Sequence, residues 1–103
     1  MKTEVSRTLK TLESILPFIG DNWDIPLRHV ATLLYVLEHG ETTSKELEDV
    51  FGAAQSSTNR AISNFRLRQL VSTFKGETSA HKIVAGVKGH VLKELLEKLH
   101  ETP

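Results

Sequence analysis

A chain of 103 residues with 39% hydrophobic residues carries enough Leu, Ile, Val and Phe for one core and is expected to form a single domain. It has no cysteine, which excludes a disulfide framework, a cysteine zinc site and a thiol switch, and which is in keeping with a cytoplasmic location. Thirteen Lys and Arg balance thirteen Asp and Glu, so the whole chain lacks the basic excess of many nucleic-acid binders, and neither a secretory leader nor a membrane span is expected.

The first element is a helix. Val5, Leu9, Leu12 and Leu16 recur at helical spacing, which predicts a helix over residues 4–16 that Pro17 stops. Trp23 in the following loop is expected to lid the core. Pro26, with its φ already set for a first helical turn, opens a second helix that ends near Gly40. Leu27, Val30, Ala31, Leu34 and Leu37 form its inner side. Leu33, Tyr35 and Val36 make it apolar almost all round, so it should be the central helix.

Residues 43–69 read as two short helices joined by a tight turn. Thr43 with Glu46 three residues later is a capping box, in which the hydroxyl takes an orphan N–H and the carboxylate reaches back. Leu47, Val50 and Phe51 share one face, and Gly52 follows where a C′ glycine can take positive φ. Small Ala53 and Ala54 let the turn pack closely, and Ser56 suits the N-cap of the next helix. On that helix Ala54, Thr58, Ala61, Ile62 and Phe65 fall on one side. Ser56, Asn59, Arg60, Ser63 and Asn64 lie on or near the other. Arg can bond guanine bidentately, Asn adenine, and Ser either a base or the backbone, so the outer set has the chemistry to read DNA. The same pattern also fits an ordinary amphipathic surface helix.

A hairpin should follow over residues 70–85. Leu70 to Lys75 is rich in β-branched and aromatic residues, Gly76 to Ser79 has turn chemistry, and His81 to Ala85 is a second short strand. Lys75, His81 and Lys82 sit around the tip, where they could grip a nucleic-acid backbone; His81 is equally compatible with a plain exposed histidine. The last element is a helix over residues 87–100 with a stripe of Val91, Leu92, Leu95, Leu96 and Leu99. That stripe is wide for the end of so small a chain. Val5, Leu9 and Leu12 at one end and Leu92, Leu95, Leu96 and Leu99 at the other are expected to form a homodimer interface, the alternative being that they close a monomer core.

The zero net charge hides a segregation. Residues 1–52 hold five Lys and Arg against nine acids, a balance of −4. Residues 53–93 hold seven, Arg60, Arg66, Arg68, Lys75, Lys82, Lys88 and Lys93, against Glu77 alone, a balance of +6. The basic zone therefore coincides with the second helix and the hairpin, where it would attract phosphate and release counterions.

No enzyme is expected. His29, His39, His81, His90 and His100 include no helical i, i+4 metal pair, and His29 and His39 read as surface or dimer-proximal residues. Glu46, Glu48 and Asp49 read as a solvated cluster. No phosphate loop, dinucleotide glycine run or nucleophile elbow is present, and no cofactor or metal is expected.

The order helix, helix, helix-turn-helix, hairpin, helix resembles a winged helix-turn-helix of the MarR-like kind. The residues carrying the resemblance are IPLRHVATLLYVLEHGETTSKELEDVFGAAQSSTNRAISNF, Ile25 to Phe65, followed by LVSTFKGETSAHKIVAGVKGHVLKELL. The resemblance implies a mainly α fold with a small β wing and a homodimeric transcription factor, usually a repressor, on a pseudo-palindromic duplex. By position it assigns DNA contacts to Ser56, Ser57, Asn59, Arg60, Ser63 and Asn64 on the recognition helix and to Lys75 through Lys82 on the wing; Lys45 and Gln55 complete the expected DNA-binding set. Three departures stand out. Glu48 occupies a place where a small Ala is usual, Thr58 a place where an apolar residue is usual, and the Asp-x-Arg wing tip is missing. The chain is short for the family, which leaves open whether it has the inducer pocket of many relatives; its size is like that of small phage or plasmid regulators. Two other functions fit the same residues: a DNA-binding adaptor in plasmid or phage partition or replication, and a winged helix that binds a protein and no DNA.

Overall fold

The computed structural model describes residues 2–19, 25–75 and 81–101. Five helices and three strands follow in the order α1 (Lys2–Ile19), α2 (Leu27–His39), β1 (Glu41–Thr43), α3 (Ser44–Phe51), α4 (Gln55–Leu67), β2 (Val71–Lys75), β3 (His81–Ala85) and α5 (Val87–Glu101). Trp23 and the turn residues 76–79 lie outside the described residues.

The core draws on every helix. Ile15, Leu33, Val36, Leu47, Phe65, Leu70, Val71, Ile83 and Leu92 are its largest fully buried side chains. The central position expected of α2 is borne out: it contacts α3, α4, α5, β1 and β3. Its buried side is rotated from the expected one, with His29, Val30, Thr32, Leu33, Val36 and Leu37 buried and Leu27 in solvent. A helix apolar almost all round leaves its phase undetermined by periodicity, and the neighbours choose it.

Pro17 does not end α1, which continues to Ile19. Proline removes one N–H and crowds the preceding turn. Here it falls in the last turn, on the exposed side, while Ile15 and Ile19 are buried and the Arg68 Nε–H donates to the Ile19 carbonyl at 2.8 Å. Packing and an external cap hold the last turn together.

Strand β1 was not expected from so short a segment. It pairs antiparallel with β3, which also pairs antiparallel with β2, giving the order β1-β3-β2. Thr42 of β1 lies opposite Ile83, and Thr73 of β2 lies opposite Ile83 from the other edge, so the buried Ile83 is the sheet's anchor in the core. The wing is thereby tied to the start of α3 rather than hanging free.

The join between α4 and the wing also fixes α5. Gln69 takes φ 62°, a left-handed conformation unusual for a side chain other than glycine. Its carbonyl accepts the Lys88 N–H at 3.0 Å, while the Leu70 carbonyl accepts the Gly86 N–H at 2.9 Å. The first turn of α5 thus finds its backbone acceptors in the α4–β2 turn. The approach is so close that a Cβ on Gly89 would run into the Leu70 carbonyl, and one on Gly86 into that of Gln69.

Candidate nucleic-acid interface

The helix-turn-helix forms as its local chemistry directs, with two corrections. The Thr43 Oγ1 accepts the Glu46 N–H at 3.2 Å, and Gly52 closes α3 at φ 60° with its N–H on the Glu48 carbonyl. Glu46 does not complete the capping box. Its carboxylate instead accepts the Tyr35 O–H at 2.6 Å, which ties α3 to α2 and holds the carboxyl below its ordinary range. The second correction is the N-cap of α4. Ala54 occupies it without a side-chain bond, and Ser56 is already the second helical residue. The αL residue Gly52 sets the turn, and burial of Thr58 and Ala61 sets the helix phase; both outweigh the capping preference of serine.

This phase buries Thr58, Ala61, Ile62 and Phe65, while Ala54 is exposed at the cap rather than buried. The Thr58 methyl does fill the usual apolar place, at 5% exposure. Gln55, Ser56, Asn59, Arg60 and Ser63 are exposed, and Ser57 and Asn64 are half-buried at the edges of that face.

Helix, turn and wing converge on one hollow. Thr43, Ser44, Lys45, Glu48, Gln55, Asn59 and His81 line a concavity of about 590 Å³ between the start of α3, the start of α4 and β3. It brings together Lys45, Gln55, Asn59 and His81, four residues of the expected DNA-binding set that are far apart in the sequence. Lys75, exposed at the end of β2, lies opposite His81 in the sheet register.

The basic zone does not act as a block. The Arg68 guanidinium donates to the Ile19 and Asn64 carbonyls, and Arg66 donates to the Thr73 hydroxyl at 3.4 Å, so both serve the fold. Lys82 faces Glu41 at 3.3 Å across β3 and β1, which weakens its claim as an unencumbered phosphate contact. Lys88 and Lys93 belong to α5. Arg60 and Lys75 are exposed cations of α4 and β2, beside the exposed Arg66 that is bonded to Thr73.

His29 is a correction of a different kind. It is not a surface residue: it is buried at 6% exposure beneath α4, with Nε2 3.4 Å from the Ser57 Oγ. Burial first, then the Arg60 and Arg28 guanidiniums, holds its pKa below the ordinary imidazole value. No sequence signal marked it, because a histidine on an apolar helix can face either way. His39 is exposed as expected, stacked on Tyr35 with ring centroids 3.9 Å apart.

The dimer-interface set divides. Leu92 belongs to the monomer core at 0% exposure and is not available to a partner. Leu96 and Leu99 are half-buried, whereas Val5, Leu9, Leu12 and Leu95 are exposed. Among the described residues no group of three or more His, Asp or Glu could hold a metal ion, and no helix is long and apolar enough to cross a membrane.

An α4 presented beside a two-stranded wing, on a three-helix core with two terminal helices, is the winged helix-turn-helix fold. Solved structures share it over almost the whole chain. HlyU from Vibrio cholerae is 19% identical, covers 98% of this chain with 96% of its own and superposes with a TM-score of 0.61. MepR of S. aureus, solved in complex with DNA, is 13% identical with a TM-score of 0.70, covering 97% of this chain and 80% of its own. A MarR family protein from Bacillus stearothermophilus is 24% identical with a TM-score of 0.63, covering 97% and 68%. No protein-family model and no curated protein matches the sequence.

Proposed function

We propose that this chain is a sequence-specific double-stranded DNA-binding transcriptional regulator, a homodimeric repressor that acts in the cytoplasm without catalysis, cofactor or metal. The observation that carries the reading is the concavity where Lys45, Gln55, Asn59 and His81 meet beside the exposed Arg60. Arg60, Asn59 and Asn64 read base edges in the major groove. Lys45, Gln55, Ser56, Ser57, Ser63, Lys75, His81 and Lys82 fix the register on the backbone. Two of the solved structures with this fold, MepR and the transcriptional repressor CouR, were determined with DNA, CouR with a 23-mer duplex.

The exposed Val5, Leu9, Leu12 and Leu95 supply the two-fold interface, with the rims of Leu96 and Leu99. A symmetric dimer would set two recognition helices about one DNA turn apart and favour a pseudo-palindromic site. Residues 1–103 then act as one winged-helix unit, and occupying a promoter would block polymerase.

Fluorescence anisotropy with random-sequence duplex across a salt series, followed by selection from a random pool, tests this reading. Salt-sensitive binding and an enriched inverted repeat are expected. Cooperative spreading over repeated sites would instead favour a partition or replication adaptor. Absence of binding at low salt would replace the DNA reading with a protein-binding winged helix.

A further inference from the structure

His29 is the buried titratable group that a DNA-reading face leaves unexplained. Its Nε2 lies 3.4 Å from the Ser57 Oγ, at the long end of hydrogen-bonding distance, and its Nδ1 is buried with no partner among the described residues. Together these two observations select a tautomer. A neutral imidazole carries one N–H and one bare nitrogen. With the proton on Nδ1, a donor would be buried with nothing to receive it, and orphaned donors are the rarer defect in folded proteins. The proton therefore sits on Nε2 and is donated to Ser57. The charged groups bearing on the ring reinforce the neutral form. They are Arg60 from α4 and Arg28 from its own helix, and no carboxylate among the described residues on α3, α5, β1 or β3 offsets them.

A serine that accepts at Oγ keeps its own O–H to donate. Ser57 stands half-buried between the packed Thr58 and Ala61 and the exposed outer face of α4. At the flank of a helix lying in the major groove, the duplex backbone is nearer than the base edges. We propose that His29 is a positioning residue for DNA binding: it donates to Ser57 and so commits the Ser57 hydroxyl as a donor to a phosphodiester oxygen. This inference rests on the DNA-binding function proposed above.

The test is a double-mutant cycle on the full chain, read by anisotropy with both random-sequence duplex and the selected site. His29→Leu and Ser57→Ala should each weaken binding by about two- to tenfold, the range of a single neutral hydrogen bond. The loss should be equal on every sequence. The slope of log affinity against log salt should not change, because a neutral donor releases no counterion. The double variant should bind no more weakly than either single one. His29→Gln, whose amide N–H can reach the same hydroxyl, should recover most of the loss. Additive losses, a His29→Leu protein that binds as wild type, or a loss confined to one sequence would overturn the proposal. Ser57→Ala changes a partly exposed position, so unaltered binding by that variant overturns it even if His29→Leu does not fold. Wild-type protein that binds no duplex would remove the DNA reading and this inference together, whereas binding without coupling removes the inference alone.

Discussion

The recognition side and the terminal helices leave different chemistry in solvent. Over residues 55–63 of α4 the exposed residues are amides, hydroxyls and Arg60, while Thr58, Ala61, Ile62 and Phe65 are buried and Arg66 and Leu67 are exposed at the helix end. On α1 the exposed residues include Val5, Leu9, Leu12 and Leu16, at 69, 56, 39 and 60%, while among the described residues only Ile15 and Ile19 are buried. Helix α1 packs chiefly on α5, and α5 itself exposes Val91 and Leu95. Over residues 55–63 the apolar groups are buried and polar ones face out, whereas α1 and α5 keep a stripe of apolar groups in solvent. A polar face in water costs nothing and can exchange water for DNA, whereas a contiguous apolar stripe gains free energy only when it is covered. Under the proposed function the polar surface meets a duplex and the apolar stripe meets a second copy.

Breaking the apolar side should give the largest effect. A Leu9→Asp, Leu12→Asp chain should sediment as a monomer and lose of order 10²-fold or more in affinity for an inverted repeat, because two linked half-sites no longer act together. Its fold should survive, since both positions are exposed. Leu92→Ala should behave in the opposite way, costing about 2–5 kcal/mol in chemical denaturation by opening a core cavity. An unchanged sedimentation profile for the double Asp chain would refute the dimer face. On the polar side, Arg60→Ala should cost about 1–3 kcal/mol of DNA binding and relax sequence preference. An equal loss on all duplexes would make Arg60 a phosphate contact instead.

The same contrast explains what the sequence made legible. The helix-turn-helix was readable because its signals are local: Thr43 caps α3, Gly52 turns the chain, and the buried residues of α4 recur at the helical period. The wing strands were readable from β-branched and aromatic residues between turn residues. What stayed hidden depends on long-range contacts. Residues Glu41 to Thr43 become a strand because β3 lies beside them, and the Glu46 carboxylate turns from its own cap to the Tyr35 hydroxyl on α2. His29 faces inward because α4 covers it, and Pro17 remains helical because Arg68 caps Ile19. Within the apolar stripe of α5, Leu92 and Leu95 look alike in sequence; the packing of α5 on α1, α2 and the sheet, with Gly89 close to Leu70, turns Leu92 inward.

The boundary between the two sides should also show in acid. The folded His29 imidazole has its pKa below the ordinary 6.5, through burial and then through Arg60 and Arg28. Above that value the ring is neutral in the folded and unfolded chain, and its contribution to stability is fully present. As pH falls through about 6.5 the unfolded chain takes up the proton first, so stability falls until the folded pKa is reached. Urea midpoints from about pH 7 to about pH 5 should therefore decline in the wild type and decline less in His29→Leu. Parallel curves for the two proteins would show that His29 is not held neutral by the fold.

The smallest effect tests how the recognition side is restrained. Lys82 is partnered with Glu41 at 3.3 Å, with side-chain exposures of 35% and 53%. A surface pair of this kind contributes no more than about 1 kcal/mol to folding, so Glu41→Gln should leave the melting temperature nearly unchanged. It should nevertheless strengthen DNA binding slightly, because it removes a negative charge from beside the wing and releases the Lys82 ammonium. The salt slope should steepen by up to about one phosphate contact, and Lys82→Ala should reverse the gain on every sequence alike. A Glu41→Gln protein with the wild-type slope would mean that Lys82 faces the sheet edge rather than the duplex, leaving Lys75 and His81 as the wing's contribution.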